Sequence, residues 1–462
     1  MGLSAGWVFP QLASCSKEDP GPEIPFEGNV VVIGAGAAGL YAADILNAKG
    51  IKVTILEAGN QFGGRVRSLR NQPDLVNISA ADFPVELGAE VIYGTDSIWG
   101  TSLKNFAVAT SELAGSADQY IMDNLAKPYE EWSVDGDFLN AQNFVDNLPS
   151  YAGPAVTVEQ AASGQSNRVA NLLNSQIGNR YGSFNGVVGI KGVSEAMNLI
   201  QHNGIPLTLR TNPMQDFLIF RFDAVRDLVK LNTPVTSIDY SGSTVIINDA
   251  TGEQTEASKV IVTVPLSILK KNGISFSPGL PAPMTSAMSR LGMDHCIRVV
   301  IDFKKNFWGE STGFVWGGSS FPDCLNSGYG RSEFNQTLSI TINGPKAEEL
   351  SAQGADMVNT ILAELDSIYN GEATLFVRRD LNTNQVLSII QDWGKEEFIQ
   401  GGYSYPTASA TIADREALAQ AIGDKLFFAG EATDFSGNAG TVNGALASAE
   451  RAAEQVIKSI TG

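Results

Sequence analysis

The sequence predicts an α/β protein in which a doubly wound parallel sheet is assembled from distant parts of the chain, with an α+β unit built from the insertions between them. Three observations carry this. Asn29–Ile33 is a β-branched run that leads directly into Gly34-Ala35-Gly36-Ala37-Ala38-Gly39. A second run, Leu426-Phe427-Phe428-Ala429-Gly430-Glu431-Ala432-Thr433, ends in a glycine motif and precedes an alanine-rich helical stretch, Ala445–Lys458. The chain has 462 residues, which allows two to four domains at roughly 100–200 residues each.

The composition is globular, 43% hydrophobic and 18% charged. With 31 Lys+Arg against 50 Asp+Glu and a net charge of -19, no basic stripe can neutralise phosphates, so nucleic acid and anionic membrane surfaces are disfavoured as partners. No stretch approaches the roughly 18 apolar residues of a spanning helix. Three cysteines, Cys15, Cys296 and Cys324, are too scattered for a disulfide framework or a structural zinc site. Two isolated histidines, His202 and His295, argue against a histidine metal centre or a Ser-His-Asp triad, so no metal is expected. The chemistry is therefore expected from a cofactor, and 47 glycines suit close backbone approach to one.

Residues 1–28 read as a leader and linker. Met1–Phe9 is mildly apolar, and Leu12-Ala13-Ser14-Cys15 has the small-residue form of a bacterial lipoprotein processing box before the polar spacer Ser16–Pro25. That pattern is similar to an exported lipoprotein anchored at the periplasmic face through acylated Cys15. No Lys or Arg precedes the apolar stretch, so either the true start lies upstream or the segment is a disordered leader of a cytoplasmic protein.

The first folded block has the pattern expected of a dinucleotide site. Asn29–Ile33 reads as a strand buried on both faces, Leu40, Ala43, Ile45 and Leu46 as the apolar face of a helix, and Lys52–Leu56 as a second strand ending in Glu57, 21 positions after Gly36. Gly34 permits the tight turn, Gly36 lets the backbone reach a pyrophosphate, and Gly39 lets helix and sheet pack closely. The helix N-terminus offers free N–H groups to the phosphates, and Glu57 can accept from ribose hydroxyls.

Gly63-Gly64-Arg65-Val66-Arg67-Ser68 follows, and no second GxGxxG occurs downstream. This glycine pair with Arg65 resembles the signature of the flavin-containing amine oxidase family, which includes monoamine and polyamine oxidases. Val85-Glu86-Leu87-Gly88-Ala89-Glu90 is similar to the family segment that passes near the flavin ring. Thr233–Ile238 and Lys259–Pro265 look like strands returning to the FAD domain, and Leu426–Thr433 with Gly440-Thr441-Val442-Asn443-Gly444-Ala445 resembles the second flavin motif. The resemblance implies a glutathione-reductase-type FAD domain from 29–95, 229–272 and 415–462, and a substrate domain from 96–228 and 273–414. It implies FAD contacts at Gly34, Ala35, Gly36, Ala38, Gly39, Glu57, Ala58, Gly64, Arg65, Gly88, Ala89, Glu90, Val235, Trp393, Gly430, Glu431, Thr441 and Val442. In the insertions, helices are expected over Val156–Ile177, Gly192–Gln201 and Ala355–Tyr369, and strands over Ile297–Phe303 and Thr337–Ile342.

The same resemblance implies a reacting face. Asp392-Trp393-Gly394 and Gly401-Gly402-Tyr403-Ser404 look like the stretch that sets Trp393 beside the flavin and Tyr403 in an aromatic cage for the amine. Thr441 stands where monoamine oxidases carry the second cage tyrosine. Gly402 stands where some relatives carry a flavin-linking cysteine, which implies non-covalent FAD. Asp294–Ile301 resembles the segment bearing the family lysine, but the matching residue is Arg298, which stays charged and cannot cycle a proton. Arg298 can serve hydride transfer passively, bind an anionic group of the substrate, or pair with a buried acid. The implied activity is FAD-dependent oxidation of an amine C–N bond, with hydride passing to the flavin, hydrolysis of the released imine, and oxygen as acceptor giving hydrogen peroxide. A desaturase or dehydrogenase acting on a C–C bond with another acceptor, and a flavin-bound interaction protein without catalysis, are the rivals. Neither an arginine beyond Gly88, as in L-amino acid oxidases, nor a clear acidic site for polyamines is present; Tyr93 occupies one such position.

Overall fold

The protein is described by a computed structural model covering residues 21–69, 83–113, 117–333 and 335–462. Cys15 lies outside these residues. Asn29–Ile33 is the centre of a five-stranded parallel sheet in the order Val229–Lys230, Lys52–Leu56, Asn29–Ile33, Lys259–Val262, Leu426–Phe428. Successive side chains of a strand point to opposite faces. Val30 and Val32 accordingly pack with the helices Ala37–Ala48 and Val442–Thr461, while Val31 and Ile33 pack with a smaller sheet behind. Both faces are covered, which is why the run shows no polar alternation.

The smaller sheet has the order Gln254–Ala257, Val245–Asp249, Val235–Asp239, Ser275–Ser277. The strand expected over Thr233–Ile238 thus forms in this layer, and the two-residue strand Val229–Lys230 takes the parallel edge instead. Val235 and Ile238 are buried against the parallel sheet while Thr236 between them is exposed, the one-sided pattern of such a covering strand.

A seven-stranded sheet dominates the inserted part, in the order Ser388–Asp392, Cys296–Asp302, Thr337–Asn343, Asp323–Asn326, Phe314–Trp316, Gln119–Met122, Leu125–Pro128. Ile297, Val299 and Ile301 point into a core shared with the helix Met357–Ile368; Cys296 and Arg298 face a cavity on the other side. The helix expected over Val156–Ile177 is broken into Val158–Ala161, Asn167–Leu173 and a π-helical turn, Asn174–Asn179. Thr157 and Gln160 form a capping box on the first piece, and Ser166 accepts from Val169 N to start the second, so each piece carries its own start signal. The other expected elements form as Ile190–Leu199, Met357–Ile368, Cys296–Asp302 and Thr337–Asn343. Among the described residues no helix is long and apolar enough to cross a membrane.

Glu86, in the short strand Val85–Glu86, is 1% exposed and accepts from Met214 N at 2.9 Å and from the Ser68 hydroxyl. Burial, partly offset by those two hydrogen bonds and by Arg331, pushes its carboxyl up to about 7 from 4.5. The fold therefore binds this proton more tightly than the unfolded chain does. Its stabilising contribution is complete below the unfolded value and is lost as pH rises through about 7. Glu86→Gln is expected to gain roughly 2 kcal/mol relative to the parent between about pH 5 and about pH 8. Urea denaturation at both values checks this, and an equal difference at the two would refute it.

Candidate functional site

The carboxyl ends of the parallel strands open onto a cavity of about 1200 Å³, lined at one end by Glu57, Pro234 and Val235 and at the other by Trp393, Tyr403 and Arg298. This exceeds the roughly 300–1,000 Å³ typical of a small-ligand pocket and occupies the position where α/β sheets bind ligands. Gly34 turns the chain with φ of 106°. A Cβ on Gly39 would stand 1.9 Å from the Gly34 carbonyl oxygen, so the helix can approach the strand only with glycine there. Gly36 is different: a Cβ would meet nothing nearer than Gly63 O at 3.9 Å, so it would project into the open cradle rather than into protein. The helix Ala37–Ala48 has Gly36 as N-cap with no side-chain cap, which leaves N–H groups for phosphate. Glu57 accepts from Ala35 N at 2.6 Å and Gly59 N at 2.7 Å and lines the cavity, with acceptor capacity left on its carboxylate. These features fit a dinucleotide.

Of the residues singled out in the sequence, Gly34, Gly36, Ala38, Glu57, Ala58, Gly64, Arg65, Gly88, Ala89, Val235, Gly430, Glu431, Thr441, Val442, Trp393, Tyr403 and Arg298 line this cavity. Ala35, Gly39 and Glu90 do not. Ala35 is fully buried behind the turn, and Glu90 is 2% exposed beneath the wall.

Glu431 is the hub of the middle of the cavity. It accepts from Arg65 Nη1 at 2.8 Å, Ser404 Oγ at 2.6 Å, Ser404 N at 3.2 Å and Gly440 N at 2.9 Å. Arg65 also donates to Gly402 O at 2.9 Å, and Arg415 donates to Ser404 Oγ at 2.8 Å and Ala432 O at 3.0 Å. Burial raises the Glu431 carboxyl, but the Arg65 and Arg415 guanidiniums outweigh it and hold the group below its ordinary value.

At the far end, Arg298 pairs with a buried acid. Its Nη1 donates to Glu90 Oε2 at 2.5 Å and to Ser339 Oγ, and its Nη2 donates to Gly88 O at 2.9 Å. Arg331, with no exposed side-chain surface, approaches the other Glu90 oxygen at 3.4 Å. Trp393 donates Nε1–H to Leu87 O at 2.9 Å, with the Arg67 guanidinium 4.8 Å from its ring centroid. Tyr403 donates its hydroxyl to Asn179 O at 3.1 Å and receives Asn343 Nδ2 at 3.2 Å; burial pushes the phenol far above its ordinary value, so it stays neutral. Thr441 caps the helix Val442–Thr461, accepting from Gly444 N at 3.1 Å and donating to Asn438 O at 2.6 Å. Its hydroxyl is committed to the backbone rather than to a cage.

The chamber beyond Tyr403 is walled by residues that sequence reasoning missed: Asn179, Arg180, Phe314, Trp316, Asp323 and Thr341. Phe314 and Trp316 stack at 4.9 Å, and Asp323 accepts from Asn179 Nδ2 at 2.8 Å. Burial, opposed by the Asn179 hydrogen bond and by Arg298 and Arg180, pushes Asp323 up to about 6. The alternation Phe314, Trp316 and Asp323, Leu325 was the available signal, with every second residue facing the cavity across paired strands.

Residues 220–457, just over half of the chain, match the family described as flavin containing amine oxidoreductase; residues 32–103 match the NAD(P)-binding Rossmann-like domain. The chain is 24% identical to lysine-specific histone demethylase 1 homolog 3 of Arabidopsis thaliana over 94% of its own length and 30% of that protein's. It is 26% identical to lysine-specific histone demethylase 1B of Mus musculus, over 88% of this chain and 50% of that one. The chain thus spans half or less of the length of these two relatives. Among solved structures, putrescine oxidase bound to putrescine superposes with a TM-score of 0.76 at 20% identity, covering 93% of this chain and 99% of the other. Cyclohexylamine oxidase from Brevibacterium oxydans IH-35A gives 0.76 at 20% identity, covering 94% and 100%. Both share the two-domain fold.

Proposed function

We propose, for a chain that belongs to the flavin containing amine oxidoreductase family, FAD-dependent oxidation of a C–N bond in a small-molecule amine. The observation that carries this reading is the continuity of the cavity, which joins the dinucleotide cradle at Gly36 and Glu57 to the chamber of Tyr403, Trp316 and Asp323. Bound FAD supplies the hydride acceptor. Gly34, Gly36, Glu57, Arg65 and Val235 hold the cofactor, and Gly402, which has no nucleophile, leaves it non-covalent. Trp393 and Tyr403, each fixed by a hydrogen bond to backbone, bury the apolar part of the amine and keep water out. Asp323 takes the proton that a protonated amine must shed before its α-carbon can react. Arg298 holds a fixed positive charge against Glu90 and moves no proton. Oxygen is the acceptor that returns the enzyme to its resting state and yields hydrogen peroxide.

The test is anaerobic mixing of the purified yellow protein with monoamines, diamines, polyamines and amino acids. Bleaching of the visible flavin band by at least one class, recovery on admitting air with peroxide released, and complete extraction of flavin by acid are the expected results. An unchanged band across the panel overturns the amine reading; bleaching without recovery in air overturns the oxidase step.

A further inference from the structure

Five arginines line the cavity: Arg65, Arg67, Arg180, Arg298 and Arg415. Four are spoken for. Arg65 pairs with Glu431 at 2.8 Å, Arg67 with Glu396 at 2.8 Å and Arg298 with Glu90 at 2.5 Å, while Arg415 is satisfied by Ser404 and Ala432. Among the described residues, no acid pairs with Arg180 and no hydrogen bond reaches its guanidinium. Its one specific contact is the Tyr93 ring, 5.1 Å from the guanidinium carbon. Arg180 carries substantial accessible surface although it lies deep in the protein, because that surface is the cavity wall itself. An arginine lying against an aromatic ring keeps its planar N–H edge free, and that edge matches a carboxylate in two parallel hydrogen bonds.

The backbone beneath it is tied down by hydrogen bonds. The π-helical turn Asn174–Asn179 delivers Arg180 to the chamber, and Asn179 is locked by contacts to Asp323 Oδ2 at 2.8 Å, Thr341 O at 2.8 Å and Asn343 N at 2.9 Å. The only carboxylate facing Arg180 from the neighbouring strands is Asp323, held by the Asn179 amide and forming no ion pair with Arg180 among the described residues. Tyr93, Tyr181 and Tyr403 complete its surroundings. The chamber thus presents a guanidinium and a carboxyl that feel each other's field without touching, so the N–H edge of Arg180 is left for a ligand.

We propose that Arg180 anchors a carboxylate carried by the substrate, so that the amine oxidised here belongs to an amino acid rather than to a simple monoamine or a polyamine. Asp323 faces the amino end of the same molecule. This rests on the amine reading above, but its test needs no turnover. Benzoate, titrated into the oxidised holoenzyme, is expected to shift the visible flavin band saturably, with benzamide at least about tenfold weaker. Arg180→Met is expected to weaken benzoate by at least about tenfold, with Arg180→Lys between the two, while flavin content and melting temperature stay at the parental values. Benzamide binding as well as benzoate overturns the proposal, and this comparison needs no variant. Undiminished benzoate binding by Arg180→Met overturns it too, and loss of flavin from Arg180→Met would reassign the residue to the cofactor. Failure of every amine to bleach the flavin while benzoate binds through Arg180 would sink the amine reading, and with it the amino-acid substrate, and leave only the carboxylate anchor standing.

Discussion

Glu431→Ala is expected to destabilise the protein by about 3–5 kcal/mol and to strip it of flavin, because it removes one carboxylate and strands several donors at once. Arg65 and Gly440 N lose an acceptor, Ser404 loses two contacts, and the fully enclosed Arg415 loses the strongest of its three acidic neighbours. These partners come from four separate stretches of chain that meet around the middle of the cavity. Glu431→Gln keeps the shape and most hydrogen bonds, so about 1–2 kcal/mol is expected for it. Because the Glu431 carboxyl is held below its ordinary value of 4.5, its contribution is present above that pH and is lost as pH falls through the lower folded value. Urea denaturation near neutral pH and again in acid measures both effects. A Glu431→Ala variant within about 0.5 kcal/mol of the parent, or with full flavin content, would contradict this account.

The second large effect is at Glu90. Glu90→Leu leaves Arg298 and the enclosed Arg331 facing each other with no anion between them, and a loss of about 3–5 kcal/mol is expected. Arg331 keeps its bonds to Leu209 O at 2.7 Å and Ser327 O at 3.1 Å and Arg298 keeps Ser339 Oγ and Gly88 O at 2.9 Å, so what is lost is chiefly the charge shared by the two guanidiniums. Adding Arg298→Met to Glu90→Leu should therefore recover part of the loss, with a coupling of at least about 1 kcal/mol between the two sites. Strictly additive changes in a double-mutant cycle would show that the ion pair is not what holds this wall. The same geometry accounts for the arginine where the family resemblance leads one to expect lysine. A guanidinium can reach Glu90, Ser339 and the Gly88 carbonyl together, whereas an ammonium lacks the fork to do so.

What the sequence made legible was local. Strand, glycine turn, helix and Glu57 follow one another within 29 residues from Asn29, and each is dictated by its neighbours in the chain. The pairing of Arg298 with Glu90 spans 208 positions, and three outcomes for Arg298 were equally open until the fold brought the two together. Thr441, which stands where monoamine oxidases carry a cage tyrosine, is the N-cap of a helix, where a hydroxyl serves the backbone first. The break in the helix over 156–177 was written in Thr157, Gln160 and Ser166, start signals that the apolar spacing masked. Arg180 gave no local sign at all. Its significance lies in a missing partner, and absence of a partner is a property of three-dimensional neighbourhood only.

The parallel sheet closes with Leu426–Phe428, and the helix Val442–Thr461 lies against Ala37–Ala48. Some 370 residues therefore leave the ribosome between Leu56 and the strand that completes the sheet. At about 5–20 residues per second, Val30, Val32 and Ile55 wait for tens of seconds without the last layer that covers them. A nascent chain in that interval exposes sticky strand surface and has no finished cradle for a dinucleotide. A complete cradle for a dinucleotide accordingly exists only once Leu426–Phe428 and Val442–Thr461 have been made.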